Sequence, residues 1–218
     1  MTPYTTFYDD VMPELPGCET ALVLHHIKRT CNDFYERSLY SREVLAGINV
    51  VAGTGTYTAV PSDATNFDVC KILGVKLLDA AGQANPGKLF ARTPDQLDEE
   101  LPHWETRQGS VKYYAQRALD KVTLAYIPST AVTSGLVITI AKLPKYGGGG
   151  IDDDVWQKFS ESLAAGVKHR LMKMDKKPWS SPSKAVMYGE IFESEVAAAG
   201  AIAAKGYGRG PLRTKAWG

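Results

Sequence analysis

The sequence predicts an α+β protein: a bundle of three main helices with an inserted antiparallel β domain and extended N- and C-terminal arms. Two patterns lead to this prediction. In three long segments, apolar residues recur every three or four positions, the spacing of an amphipathic helix. Between the first and second segments the period changes to two, which is typical of half-buried strands. The β region is therefore predicted to interrupt the helical part.

The first predicted unit, residues 1–46, combines an arm with the first helix. The arm, residues 1–16, is rich in aromatic and proline residues and is predicted to be extended. The helix is predicted over residues 18–40, where one stripe of small or apolar side chains repeats at helical spacing. This stripe consists of Leu24, Ile27, Cys31, Phe34 and Ser38.

The second predicted unit, residues 47–146, is a compact antiparallel β domain. Residues 122–127 and 136–143 alternate between two faces, and the long loop between them predicts that they pair as a hairpin. Thr93, followed by a proline, is predicted to cap a short helix that ends at about Leu101.

A run of four glycines, residues 147–150, begins the third predicted unit, 147–206. Phosphate-binding loops also place glycines before a helix. This run lacks their Gly-Lys-Ser/Thr ending, however, and the aspartates at 152–154 would repel phosphate. We interpret the run as a hinge before a helix over 152–174. The aspartates complement the helix dipole; consecutive residues at a helix start do not converge on one metal ion.

Residues 177–182, Lys-Pro-Trp-Ser-Ser-Pro, end this helix and begin the next. Ser181 is predicted to cap a third helix, 183–205, which Gly206 ends. The structural turn consists of Pro178, Trp179 and Pro182. Trp179 is expected to fix the angle between the two helices. One face of the third helix is small enough for another helix to approach closely: Ala185, Gly189, Phe192, Val196, Ala199 and Ala203.

Two groups of residues are candidate contact surfaces. The first is basic and lies around the end of the second long helix: Lys168, Arg170, Lys173, Lys176 and Lys177. It either faces DNA or an acidic partner, or is a solvated helix end. The second is the extended tail, 207–218, which has three basic residues and no acidic one. Its predicted docking residues are Tyr207, Arg209, Leu212, Arg213, Lys215 and Trp217; an idle tail is the alternative.

Composition argues against several classes of function. The 218 residues include 25 Lys or Arg and 24 Asp or Glu, so a general polyanion binder is not expected. The 3 cysteines form no Cys-x-x-Cys pair, which favours a reducing compartment over a disulfide scaffold or a cysteine zinc site. The first residues lack the pattern of a secretory signal, and no apolar run has the length of a membrane span. We therefore expect no membrane partner.

No catalytic, cofactor or metal site is predicted. His25 and His26 are adjacent, so on a helix their side chains point about 100° apart and cannot share a metal ion. The zinc motif His-Glu-x-x-His and the hydrolase motif Gly-x-Ser-x-Gly are both absent. Each histidine is expected at the surface or at its boundary.

Several short motifs together resemble the head-to-tail adaptor, or connector, proteins of tailed bacteriophages. They are Phe-Tyr-Asp-Asp-Val-Met-Pro-Glu-Leu-Pro-Gly-Cys at 7–18, Asn-Asp-Phe-Tyr-Glu-Arg-Ser at 32–38, and the Pro-Trp turn at 177–182. The remaining matches are Gly166, Arg170, Leu171, Ala185, Tyr188 and Phe192. The β region matches no signature of the family.

The resemblance implies a virion structural protein and not an enzyme. Such adaptors form a ring, usually of twelve copies, under the portal, where they extend the DNA channel and present a surface to the tail or nozzle protein. The partners implied are further copies of the chain, the portal, the tail protein and duplex DNA passing without specific contacts. The location implied is the neck of a virion made in bacterial cytoplasm. The alternatives are another phage neck, tail-completion or terminator protein, and a non-viral binding module or enzyme.

Overall fold

The computed structural model describes residues 1–79 and 84–206. Over these residues the chain forms five α-helices and ten strands. The helices are α1 (Tyr8–Val11), α2 (Thr20–Ser38), α3 (Pro94–Glu100), α4 (Asp153–Met172) and α5 (Pro182–Lys205). The strands are β1 (Thr2–Pro3), β2 (Arg42–Val50), β3 (Thr56–Thr58), β4 (Phe67–Leu78), β5 (Ala84–Lys88), β6 (Phe90–Ala91), β7 (Tyr113–Ala118), β8 (Lys121–Ala125), β9 (Val132–Pro144) and β10 (Gly150–Ile151).

The predicted architecture, a three-helix bundle with an inserted antiparallel β domain and extended arms, is wrong. The class is α+β, but the described residues form five helices and three sheets, and a three-helix bundle does not dominate the fold. One pairing, between β6 and β7, is parallel. The N-terminal arm is folded, and it adds both a short helix and a strand to the structure.

The arm folds because its apolar residues have helical spacing. Two 3-10 turns, Tyr4–Phe7 and Met12–Glu14, flank α1. Four of the apolar side chains are buried: Tyr4, Phe7, Val11 and Leu15. A chain that coils with this spacing brings all four to one side. Ahead of the first turn, β1 pairs with β10, so the start of the chain is held beside the start of α4.

α4 lies at the centre of the helical part. Every residue from 162 to 167 is buried. α2 runs antiparallel to α4, with Thr30 against Gly166 and the rings of Phe34 and Phe159 centred 5.0 Å apart. α5 packs against both helices through the small face anticipated from the sequence. One core, formed by the arm, α2, α4 and α5, results.

The remaining strands form two four-stranded sheets. Their orders are β2-β9-β4-β5 and β3-β8-β7-β6. Side chains from both sheets share a second core, which includes Val75 and Ile138 from the first sheet and Val122 and Leu124 from the second. The two sheets therefore pack face to face as a sandwich.

The hairpin predicted between residues 122–127 and 136–143 is wrong, because β8 and β9 belong to different sheets. The loop between them crosses the sandwich. Strand alternation identifies a buried face but not the partner strand, and this is why the pairing was missed. The short helix after Thr93 is confirmed as α3. The Thr93 hydroxyl accepts from the backbone N–H of Gln96, and the Gln96 side chain accepts from that of Thr93.

Candidate functional site

The five basic residues singled out in the sequence separate into two groups. Lys168 donates to Glu14 over 2.7 Å, and Arg170 donates to Asp33 over 2.8 Å, so both are held inside the helical part. The other members, Lys173, Lys176 and Lys177, are exposed in and beside the turn between α4 and α5. Only these three remain available to a partner, and we call them the basic turn.

The Pro-Trp turn is built into the core. The Trp179 side chain is only 8% exposed and packs among the helices. The backbone N–H of Ser181 donates to the carbonyl of Met172 over 3.0 Å and so closes the turn. Pro182 is the first residue of α5, where its missing N–H costs nothing. Pro178 is exposed. Trp179 is positioned to set how α5 leaves α4.

The sequence predicts a docking tail over residues 207–218. Residues 207–218 lie outside the described residues, as do all six of its candidate residues: Tyr207, Arg209, Leu212, Arg213, Lys215 and Trp217. What the structure does show is where the tail begins. Gly206 follows the last turn of α5 with a φ of 70°, in the left-handed region that glycine tolerates.

The first polar cluster centres on Glu14, at the end of the arm. Its carboxylate accepts from Lys168 at 2.7 Å and from the Tyr188 hydroxyl at 2.7 and 2.8 Å, and Lys184 lies 3.5 Å away. The hydrogen bond from Lys168 is the main reason why the pKa of Glu14 lies below its usual range. Burial, together with the nearby carboxylate, raises the pKa of Tyr188 to about 12. Glu14 thus ties the arm to α4 and α5.

Replacing Glu14 by glutamine is expected to lower the free energy of unfolding by about 1 kcal/mol at neutral pH, because the amide keeps the shape but loses the charge facing Lys168. Since folding lowers the pKa of Glu14, its contribution is complete above the ordinary glutamate value of about 4.3 and is lost as the pH falls through the folded value. Thermal unfolding of both proteins from neutral pH downwards checks this. The gap between their melting temperatures should close in acid; a gap independent of pH would contradict the assignment.

The second polar cluster joins the helical part to the sandwich. Asp152, which precedes α4, accepts from Lys142 of β9 over 2.7 Å and from the hydroxyl of Ser41. The Tyr35 hydroxyl accepts from the Asp152 backbone N–H over 2.9 Å. The Lys142 ammonium also lies 4.5 Å from the centre of the Phe67 ring. A cleft of about 660 Å³ opens beside this cluster.

Asp152 occupies the N-cap position of α4. Its side chain makes no capping hydrogen bond and faces β9 instead. Changing Asp152 to asparagine is expected to cost about 2 kcal/mol of unfolding free energy, since Lys142 is largely buried and would lose its counter-ion. Asp154→Asn, at an exposed position two residues onward, is the matched control and should change stability by about 0.5 kcal/mol or less. Chemical denaturation measures both effects. Equal effects would show that the contact between the helical part and the sandwich does not depend on the ion pair of Asp152 and Lys142.

A third cluster lies in a cleft of about 300 Å³ between α2, α4 and α5. His26, predicted at the surface or its boundary, is 9% exposed here. Its Nδ1 has no hydrogen-bond partner among the described residues. Burial lowers the pKa of His26, and the positive charges of His25, Arg170 and Arg29 lower it further. The planes of the His25 and His26 rings are inclined to each other by 87°, and His25 contacts the Tyr146 hydroxyl.

The outward side of α5 carries exposed apolar side chains beside the exposed polar residues Glu190 and Ser194. Val186, Met187 and Ile191 are 61%, 47% and 43% exposed, and the alanines at 197, 198 and 201 continue the surface towards the end of the helix. We call these six residues the outer face of α5. The small-residue face predicted from the sequence is the opposite one, which packs on α4. The hydrophobic periodicity of α5 shows both faces, but only the fold shows which one is covered.

Across residues 1–79 and 84–206, no three histidine, cysteine or acidic side chains are grouped so that they could hold a metal ion. Within the same residues, no helix is long and apolar enough to cross a membrane. Cys18, Cys31 and Cys70 are unpaired.

No protein-family model matches this chain, and no curated protein matches it either.

Proposed function

We propose that this protein is a structural component of a tailed-bacteriophage virion, a head-to-tail adaptor. In this proposal twelve copies form a ring beneath the portal, extend the DNA channel and provide the attachment surface for the tail or nozzle protein. The chain would be made in the bacterial cytoplasm and reside in the neck of the virion. One observation supports this most directly: the separate motifs that resemble the family converge on one core.

The convergence links residues from distant parts of the sequence. The arm, α2, the Pro-Trp turn and α5 all contribute motif residues to a single buried cluster. These residues are Phe7, Val11, Leu15, Cys18, Phe34, Tyr35, Trp179, Ala185 and Phe192. Their meeting supports a common helical framework as the origin of the resemblance.

The arrangement of the two parts also suits an adaptor, which must contact different partners at its two ends. α2 and α4 are antiparallel, and the sandwich joins them where α2 ends and α4 begins. The basic turn lies at the other end of α4. Three lysines there offer an anion-binding surface without the strong positive field that would hold duplex DNA in place.

Electron microscopy of native particles that contain the chain tests the proposal. Class averages along the symmetry axis should show a ring of this protein between portal and tail, open enough for duplex DNA. A ring elsewhere in the neck or tail would favour a tail-completion or terminator protein instead. Absence of the chain from purified particles would refute a virion role.

Deletion of the tail tests whether it binds the portal. Deleting residues 207–218 should abolish binding to the portal and leave the melting temperature unchanged, because the tail begins after Gly206 has ended α5. The tail's basic and apolar residues are the kind that anchor extended segments in a partner's pockets. Co-sedimentation with purified portal rings measures the binding. Wild-type binding by the shortened chain would show that another surface makes the contact.

A further inference from the structure

The cleft between α2, α4 and α5 contains a buried histidine that has no partner among the described residues. The His26 side chain lines this cleft and is only 9% exposed. Neither of its ring nitrogens forms a hydrogen bond with a described residue, and Nδ1 is fully enclosed. His169 lines the same cleft from α4, but its Nδ1 donates to the carbonyl of Ala185 over 2.7 Å. A buried polar atom without a partner calls for a bound water, ion or ligand beside it.

The charge around the cleft favours an anion as that ligand. Its two carboxylates are already paired, Asp33 with Arg170 and Glu193 with Arg37. Arg170 uses one of its five N–H donors on Asp33. Lys173 also lines the cleft, is exposed, and has no ion-pair partner among the described residues. Three cations thus stand against two carboxylates, even while the histidines are neutral.

We propose that this cleft binds a tetrahedral oxyanion of the phosphate class, held by Lys173, by the remaining donors of Arg170 and by the ring of His26. Arginine binds such groups through its planar fork, and lysine binds them as a point charge. The anion would also accept an N–H from His26 and so supply the missing partner. This inference does not depend on the proposed adaptor role.

The size and depth of the cleft limit the ligand to a small molecule. Its volume of about 300 Å³ is at the lower end of the range for small-molecule sites. The ring of His26 is too deeply buried to contact the backbone of a DNA duplex, which is a broad and rigid surface. The ligand is therefore a single ion or a small phosphorylated molecule.

Anion binding and protonation of His26 should strengthen each other. The titratable and charged groups around the ring are His25, Arg29 and Asp33 from α2, His169, Arg170 and Lys173 from α4, and Glu193 from α5. In the free chain, burial lowers the pKa of His26, and its cationic neighbours lower it further. A bound anion has the opposite effect, because it stabilises the protonated ring. Affinity for the anion should accordingly rise as the pH falls and His26 becomes protonated.

Proton NMR of the histidine rings in the intact chain tests the proposal. Sulfate is the probe, since its charge stays constant while histidines titrate, and sodium chloride of equal ionic strength is the reference. Loss of one resonance in His26→Gln identifies the signal of His26. Sulfate should raise the pKa of His26 and bind about tenfold more tightly once this ring is protonated.

Lys173→Gln and Lys176→Gln form a matched pair of variants. Both lysines are exposed, but only Lys173 lines the cleft. Lys173→Gln should weaken sulfate binding at His26 by about threefold or more, because one charge facing the ion is lost. Lys176→Gln should bind like the wild type. His103 is exposed after α3 and does not line the cleft, so its pKa should be the same in both salts.

Several results would overturn the proposal. The first is an equal pKa of His26 in sulfate and in chloride. The second is an equal rise for His26 and His103, which would reflect general screening. The third is sulfate binding that Lys173→Gln leaves unchanged, or that both lysine variants weaken equally, since either would place the ion outside the cleft. All of these measurements use the isolated chain, so they stand whatever electron microscopy finds about the virion.

Discussion

Replacing Trp179 by alanine is expected to lower the free energy of unfolding by about 4 kcal/mol, which is in the range found when large aromatic side chains are removed from cores. The indole is 8% exposed and belongs to the same buried cluster as the arm, α2, α4 and α5. Truncation would leave a cavity at the turn where three of these elements meet. Thermal and chemical denaturation measure the loss.

Trp179→Phe is the matched control. The indole N–H of Trp179 has no hydrogen-bond partner among the described residues, so phenylalanine removes an unsatisfied donor while it keeps most of the packing. We expect the phenylalanine variant to lose less than half of what the alanine variant loses. A negligible change in the alanine variant would contradict the buried position and would indicate that Trp179 serves an interface.

The three long helices could be predicted because their signals are local. Helices expected over 18–40, 152–174 and 183–205 are observed as α2, α4 and α5, each with ends within two residues of the expectation. An apolar stripe needs only its own segment to be recognised, and caps such as Ser181 lie beside the turns they define.

The arm and the sheet pairings could not be predicted in the same way. Prolines at 3, 13 and 16 favoured an extended arm. Phe7 and Val11 have the spacing of a helical turn, however, and their burial in the core outweighs the local preference of the prolines. Strands such as β4 and β9 have a recognisable buried face. Partners are chosen by contacts between strands far apart in sequence, for which a single sequence carries no signal.

The polar clusters could not be predicted from the sequence for a related reason. Glu14 and Lys168 are 154 residues apart in the sequence. The residues around either one do not indicate that the two side chains form an ion pair. Lys168 and Arg170 therefore looked as available to a partner as Lys173, although folding commits both to carboxylates. Of the five basic residues, only the three lysines of the basic turn remain exposed and available to a partner.

Gly166 is the point where packing leaves least room, and Gly166→Val is expected to cost about 3 kcal/mol of unfolding free energy. A Cβ there would lie 2.6 Å from Cδ2 of Phe192 and 2.7 Å from Cγ2 of Thr30. Both neighbours are buried, one on α5 and one on α2, so α4 cannot accept a side chain without separating from both helices. This tight contact explains a glycine in the middle of a long helix, where its backbone freedom alone would be unfavourable.

Gly200 also lies within a long helix, α5, but there is room for a side chain beside it. A Cβ there would come no closer than 3.8 Å to its nearest neighbour, the carbonyl oxygen of Ser38. Gly200→Ala should therefore raise stability by about 0.5–1 kcal/mol, through helix propensity. The same propensity gain favours Gly166→Ala, so a loss of stability in that variant isolates the cost of the contact with Phe192 and Thr30. Denaturation curves for the two alanine variants should shift in opposite directions; a shift in the same direction would show that α4 does not pack this closely against its neighbours.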